Sequence, residues 1–443
     1  MGRKRRADHG KLQFPPLDLC WSCSLCSDCC RQHFVEVSAA DMERIVSQGW
    51  HRRAEFAGRP LFVPYAGPPW RRTYRLAHKA DGSCIFLGEH GLCRIHAEFG
   101  FEAKPIACQL YPYMLVPVAG RVHVGLRFSC PAVAAGSGEP IRRERAELWR
   151  MWRVIRSNAG AEKLPGPPPI RPGVQLDWDD TLQVVDSFLR LLRRPGDDWP
   201  ARLVQAVDMA GLLNQVKFSA IRGSRLESLL AVLSAYSSEH ADRLLWREAP
   251  DRRMLSLFRM TVAQYSRRDI SPQLWSGWRG RLELFRAGLR FARGKGQVPP
   301  LQLDFGSPTF EAVEQFDVPL PPETWELLSR YFAVKLFALQ FCGVACYRLP
   351  VIEGFYGLAI TCPVILWLAR WRACGQGRGR IEGQDLLEAI RVVDHNYAYN
   401  PVFGKFYSRW RLRMLAEMGE LSKLIVRYAA PSRGKWAQVP AAS

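Results

Sequence analysis

Nine of the thirteen cysteines fall in the first 130 residues, and five of them crowd into Cys20-Trp-Ser-Cys23-Ser-Leu-Cys26-Ser-Asp-Cys29-Cys30. Thiolates two residues apart can turn back onto one soft cation, which is the spacing of zinc and iron–sulfur sites. Cys84, Cys93 and Cys108 follow, and Cys130 closes the series before Pro131. The candidate ligand set is therefore Cys23, Cys26, Cys29, Cys30, Cys84, Cys93, Cys108 and Cys130. Eight thiolates suffice for two zinc ions with four each, or for one cubane cluster and a second site. Adjacent side chains at 29 and 30 are expected to diverge, which disfavours both on one ion. Cys20 is a ninth thiol, an alternate ligand or a spare. His33, His90 and His96 could substitute, but a lone histidine has no spacing argument behind it and is expected on the surface or in a turn.

With 443 residues and 48% hydrophobic content, the chain is long enough for two or three packed domains, and disorder of the whole is excluded. The basic start, Met1-Gly-Arg-Lys-Arg-Arg, leads into Lys11-Leu-Gln-Phe-Pro-Pro rather than an apolar core. No secretory signal is expected, so the thiols belong in a reducing cytoplasm, where such a cluster binds metal rather than forming disulfides. The net charge of +20, mostly arginine and scattered along the chain, favours acidic partners: nucleic acid, anionic lipid or an acidic protein face.

The elements that must hold the thiols are short. His33 to Val37 alternates as a strand, and Ser38-Ala-Ala-Asp41 is a capping-box variant ahead of Met42 to Val46. Cys84 and Cys93 flank the Gly88 to Gly91 turn, while Met114–Val118 and Arg121–Phe128 read as a hairpin across Ala119-Gly120. From Ile141 to Arg156 the period turns helical, with Ile141, Leu148, Met151, Trp152 and Ile155 on one side and Arg142, Arg143, Arg150 and Arg153 away from it. Lys163 to Gly173 is proline-rich and is the expected domain boundary.

Beyond it the pattern is helical throughout. Helices are expected at 180–194, 200–218, 224–238, 252–267, 272–293, 322–347, 354–373, 384–393 and 402–428, several opened by prolines. The expected fold class is α+β: a small metal-organised cysteine-cluster domain with short strands, then a large all-α domain. The expected divisions are a basic tail 1–19, the cluster domain 20–160, a linker 161–175, the helical domain 176–430 and a tail 431–443. Tyr331 to Tyr347 and Gly354 to Leu368 are apolar but short of the roughly 20 residues that span hydrocarbon, so no transmembrane segment is expected. Cys342 and Cys346 read as small buried hydrophobes one helical turn apart.

These residues resemble the CxxCxxCC, or YkgJ-like, cysteine-cluster family of zinc- or iron-chelating domains, whose enzyme member is flagellin lysine N-methylase. The resemblance rests on Cys23-Ser-Leu-Cys26-Ser-Asp-Cys29-Cys30, Asp41, Cys84-Ile-Phe-Leu, Gly91-Leu-Cys93-Arg-Ile-His, Lys104-Pro-Ile-Ala-Cys108-Gln-Leu-Tyr111-Pro112 and Phe128-Ser-Cys130-Pro. It covers about residues 20–135. Cys20 is additional to the family pattern, and the first run is tighter than in flagellin methylases. The resemblance implies a bound metal or iron–sulfur cluster, and methyl transfer from S-adenosylmethionine to a protein lysine.

No strand followed by GxGxG marks a nucleotide-binding unit. The glycine-rich stretches Ala135 to Glu139 and Cys374 to Arg380 read as helix caps and loops. Glu353 and Asp394-His395 have no spacing that demands catalysis, and Tyr111-Pro112-Tyr113 is expected to pack over the cluster. Two functions follow: a metal-dependent protein-lysine methyltransferase, or a zinc-scaffolded module whose arginines at 142–156 meet RNA or an acidic protein.

Overall fold

The computed structural model describes residues 12–65, 67–158, 164–194, 198–244, 249–267 and 277–429. Its strands are β1 (Leu12–Gln13), β2 (Cys20–Trp21), β3 (Glu36–Val37), β4 (Phe62–Pro64), β5 (Tyr74–Leu76), β6 (Tyr113–Val118), β7 (Arg121–Leu126) and β8 (Glu139–Pro140). They form three small sheets, ordered β1-β7-β6, β2-β8 and β3-β5-β4. Everything after residue 177 is helical or looped among the described residues, as the α+β reading requires.

Two separate cores explain this layout. The smaller gathers Val37, Ile45, Trp50, Phe56, Leu76, Phe86 and Ile95 around a fully buried Trp50 ring, whose centroid lies 5.2 Å from Phe86 and 5.4 Å from Phe56. Edge-to-face aromatic packing of this kind lets a lobe of short strands hold together with little regular structure. The capping box at the start of the helix Ala39–Ser47 is present: Asp41 N–H donates to Ser38 Oγ at 3.1 Å, and Ser38 N–H donates to Asp41 Oδ2 at 3.2 Å.

The larger core runs from the β6–β7 hairpin into the helical bundle. The hairpin forms across Ala119-Gly120 with Val116 opposite His123, and both turn residues take positive φ. Its inner face meets the helix Thr324–Phe337: the His123 ring stacks on Phe337 at 4.6 Å and shares a 2.7 Å hydrogen bond with the Phe337 carbonyl. Within the expected 20–160 division, the small core therefore ends at Ala103, and the hairpin beyond it joins the larger core.

Two further boundaries change. Of the expected tail 1–19, residues 1–11 lie outside the described residues, but β1 pairs in parallel with β7, and Leu12, Phe14 and Leu19 are buried. Alternation is too short to signal a two-residue strand whose partner is over a hundred residues away. The expected linker is equally committed: Val351 and Ile352 donate their N–H groups to the Pro169 and Ile170 carbonyls at 2.9 and 3.0 Å. An extended proline-rich segment has free carbonyls, and a helix N-terminus has free N–H groups, so each satisfies the other. The expected tail 431–443 and residues 272–276 of the expected 272–293 helix lie outside the described residues.

Among the later helices, the expected 322–347 span ends at Phe337. The chain then loops, with Leu339, Tyr347 and Arg348 in the left-handed region, so Cys342 and Cys346 are buried but not one helical turn apart. Hydrophobic content followed from burial there, and the turn at Leu339 takes the chain off the helical path. The expected 354–373 helix is two, Val351–Ala359 and Thr361–Gly375. Together they are long and apolar enough to cross a membrane, yet 94% of the apolar window is buried inside the bundle.

Candidate metal centre

The cysteine run leaves β2 as an exposed loop. Cys23 and Cys26 are exposed, and Leu25 and Ser27 hold φ of 56° and 59°. Two non-glycine residues in the left-handed region cost on the order of 1 kcal/mol or more each, and they fold the CxxCxxC run back on itself. The Cys30 and Arg31 N–H groups then close on Ser27 O at 2.9 and 3.1 Å, starting the short helix Asp28–Gln32 that carries Cys29 and Cys30.

The remaining thiols come from the small lobe. Cys84 N–H donates to Cys30 O at 2.8 Å, fastening that strand end to the first helix. Gly88 N–H donates to Leu92 O at 2.8 Å, and Cys93 pairs by a bridge with Leu87, so the turn brings Cys93 back beside Cys84. Cys108 rides on the helix Ile106–Leu110, whose first N–H donates to Asp41 Oδ1 at 3.2 Å. Asp41 thus caps one helix with one oxygen and seats the Cys108 helix with the other.

Electrostatics show which thiols are neighbours. Burial pushes Cys84 up to about 12, and Cys93 and Cys29 add repulsion. Burial pushes Cys108 well above the usual thiol range, with further repulsion from Cys84, Cys93 and Cys29. Cys29 is raised chiefly by a hydrogen bond with Cys30 and then by burial. The structure therefore groups Cys29, Cys30, Cys84, Cys93 and Cys108.

Cys130 belongs to a second neighbourhood, raised by burial and sensing Cys26. Cys20 stands apart on β2, where its charge acts on Arg330. Among the described residues no three cysteine, histidine or carboxylate side chains already meet at metal-ligand spacing. The donor chemistry nevertheless fits a thiophilic cation. Such thiols stay protonated because burial disfavours their anions and those anions also repel one another, and a divalent ion reverses that preference by releasing the protons.

Behind the thiols lies a buried polar layer that spacing alone did not reveal. Tyr111 packs over the cluster as expected; its phenol is pushed up by burial and then by Cys130, and its hydroxyl lies 3.3 Å from Ser129 Oγ. His33 is not a surface histidine. It sits between Tyr111 and His395, with ring centroids at 4.9 and 4.8 Å, and burial followed by Arg127 holds it neutral. Arg127 lies 3.5 Å over the Tyr399 ring and donates to the His395 carbonyl at 3.3 Å. Lys335 and Asp394 pair at 2.5 Å with side chains 3% and 1% exposed, and Asp394 Oδ2 accepts the Ser129 N–H at 2.9 Å.

A lone lysine inside the apolar 331–337 run was the available signal, since a buried charge demands a partner. Asp28 of the first cysteine helix also pairs with Arg391 of the helix Gly383–Asn396.

Other candidates are structural. Arg142 and Arg145 donate to the Pro15 and Leu12 carbonyls at 3.2 and 3.1 Å, and Arg150 holds Glu147. Gly136 caps the helix Pro131–Ala135, and Arg378 of the second glycine-rich stretch pairs with Glu382 and Asp385. Glu353 is gripped by Arg409 and Arg413 at 2.6 and 2.8 Å. His90 and His96 lie on the surface of the lobe.

Residues 22–131 match the family model described as the CxxCxxCC putative zinc- or iron-chelating domain. No curated protein and no solved structure matches the chain. The matched segment begins just before Cys23 and ends just after Cys130, so it contains both thiol neighbourhoods and the whole small lobe. Over those residues, a quarter of the chain, the sequence is similar to the CxxCxxCC family of putative zinc- or iron-chelating domains.

Proposed function

We propose that the chain is a cysteine-cluster metalloenzyme that modifies a protein lysine. The observation that carries the metal half is the common neighbourhood of Cys29, Cys84, Cys93 and Cys108, one buried and three half-buried, drawn from three chain segments. With Cys30 beside them these four hold one site, and Cys23, Cys26 and Cys130 supply donors for a second. An all-thiolate set suits zinc and iron–sulfur chemistry alike. When bound, the metal supplies folding free energy to the small lobe.

What supports an enzyme rather than a bare scaffold is the layer behind the thiols. A zinc scaffold needs no Lys335–Asp394 pair and no Arg127 in its rear wall, and buried charges cost stability that a functional site justifies. The reaction class, methyl transfer from S-adenosylmethionine to lysine, rests on the family resemblance. The engagement of Arg142, Arg145 and Arg150 within the chain favours this reading over an RNA-binding module.

The test uses anaerobically purified full-length protein. Elemental analysis and an absorption spectrum come first: a band near roughly 400 nm indicates iron–sulfur ligation, and colourless protein with zinc indicates a closed structural site. Absence of both metals sinks the metal half. Incubation with labelled S-adenosylmethionine and cell lysate then reads the reaction, and absence of label on lysine from metal-loaded protein sinks the enzymatic half alone.

A further inference from the structure

The helices Arg252–Tyr265, Val351–Ala359 and Phe406–Glu417, with the loop after Cys346, line a cleft that opens to solvent. Its walls are mainly apolar and include the rings of Tyr265, Tyr347, Tyr397 and Phe403. Arg411 also lines it, and that side chain is the anomaly of the cleft. The residue is only 4% exposed; its Nη2 donates to Gln264 Oε1, while Nε has no hydrogen-bond partner.

No carboxylate among the described residues pairs with Arg411. The titratable group that acts on it is the Tyr407 phenol, and burial lowers the guanidinium to about 10. Two residues away on either side, Arg409 and Arg413 both grip Glu353. One helix thus carries three arginines, two sharing the Glu353 carboxylate and one left buried in the cleft wall with a neutral amide. A buried unpaired charge is expensive, and an anion in the cleft would remove the cost.

A second, independent feature lies in the same wall. Tyr347 and Ala398 both line the cleft with φ of 49° and 62°. Non-glycine residues persist there only where surrounding structure over-determines them, and such strain clusters at ligand sites.

The chemistry narrows the ligand. A single free guanidinium braced by one amide matches the planar, singly charged carboxylate, whereas a phosphate dianion calls for several cations. Aromatic walls with one polar anchor suit a flat apolar body. We propose that this cleft binds a small carboxylic acid with an aromatic or flat apolar body, its carboxylate on Arg411 and its body against Tyr265, Tyr347 and Tyr397. The site needs no metal, so it stands apart from the cysteine cluster.

The experiment uses full-length, metal-loaded protein with indole-3-acetate and 3-phenylpropionate as probes and indole-3-acetamide as the uncharged control, read by calorimetry and thermal shift. Both acids are expected to bind and raise Tm, about 10- to 100-fold tighter than the amide, the range of a charged hydrogen bond. Arg411→Met should abolish that preference. Should Arg411→Met fail to fold, Gln264→Met decides, since loosening the guanidinium should weaken the acids several-fold and leave the amide unchanged. No binding of either acid to the wild-type protein, equal binding of acid and amide, or full affinity in the substituted protein overturns the proposal.

Discussion

Asp394 Oδ2 accepts the backbone N–H of Ser129 at 2.9 Å, one residue before Cys130, while Asp394 Oδ1 faces Lys335 at 2.5 Å. One carboxylate therefore fixes the backbone beside a candidate metal ligand and neutralises the most deeply buried lysine. Burial holds the Lys335 ammonium below its ordinary value in spite of that partner.

Lys335→Met should leave that carboxylate buried and unpaired, costing about 3–5 kcal/mol. Adding Asp394→Asn, which keeps an acceptor for Ser129, should recover a large part of the loss. Urea unfolding of the two single variants and the double measures the coupling, and strict additivity would show that the two groups do not depend on each other.

The split between cluster and core cysteines gives a sharper contrast. Cys84→Ser and Cys108→Ser should each lose metal and destabilise the small lobe by several kcal/mol, on the order of what a structural site supplies. Cys346→Ser, in the helical body, should keep full metal content. Metal-to-protein ratios after desalting check both.

Asp41 offers a test of positioning without touching a thiol. Asp41→Ala removes half of a capping box, about 1 kcal/mol, and also frees the Ile106 N–H that seats the Cys108 helix. Metal should dissociate faster than from wild type in a chelator-competition assay. Asp41→Asn, which keeps an acceptor oxygen, should restore part of the difference.

His123 predicts a pH dependence away from the cluster. Burial holds its imidazole below the ordinary value of 6.5, outweighing the bond to the Phe337 carbonyl. Below that pH the unfolded chain takes up a proton that the native ring resists. The unfolded state then binds more protons, and stability falls as pH falls. His123→Phe, which keeps the stacking on Phe337, should flatten the decline in Tm between pH 6.5 and 5 relative to wild type.

Gly354 packs its α-carbon against the Phe341 carbonyl, and a Cβ there would overlap that oxygen. Gly354→Ala should cost about 1–3 kcal/mol, the range for overpacking a tight core, while Gly379→Ala, with open space around it, should be near neutral. Thermal melts of the two variants compare them directly.

What was legible in the sequence was local. The Ser38–Asp41 box, the hairpin across Ala119-Gly120 and the cysteine spacing each encode their geometry within a few residues, and each is present. What escaped notice was set by distant partners. Nothing near Leu12 announces its pairing with Val122, and nothing around Lys335 names Asp394. The overlong helix reading past Phe337 failed for a related reason: the residues are apolar because they are buried, and burial alone carries no period.

The parallel pairing of β1 with β7 bears on the order in which the polypeptide matures on the ribosome. The small lobe has all its aromatic core, and its five grouped thiols, once residue 108 has emerged. β1 must wait for β7, and β7 in turn rests on a helix that begins at Thr324. For most of synthesis the lobe is thus a finished cup on an unfinished stalk, able to collect its cation before the bundle that will close over its rear wall exists.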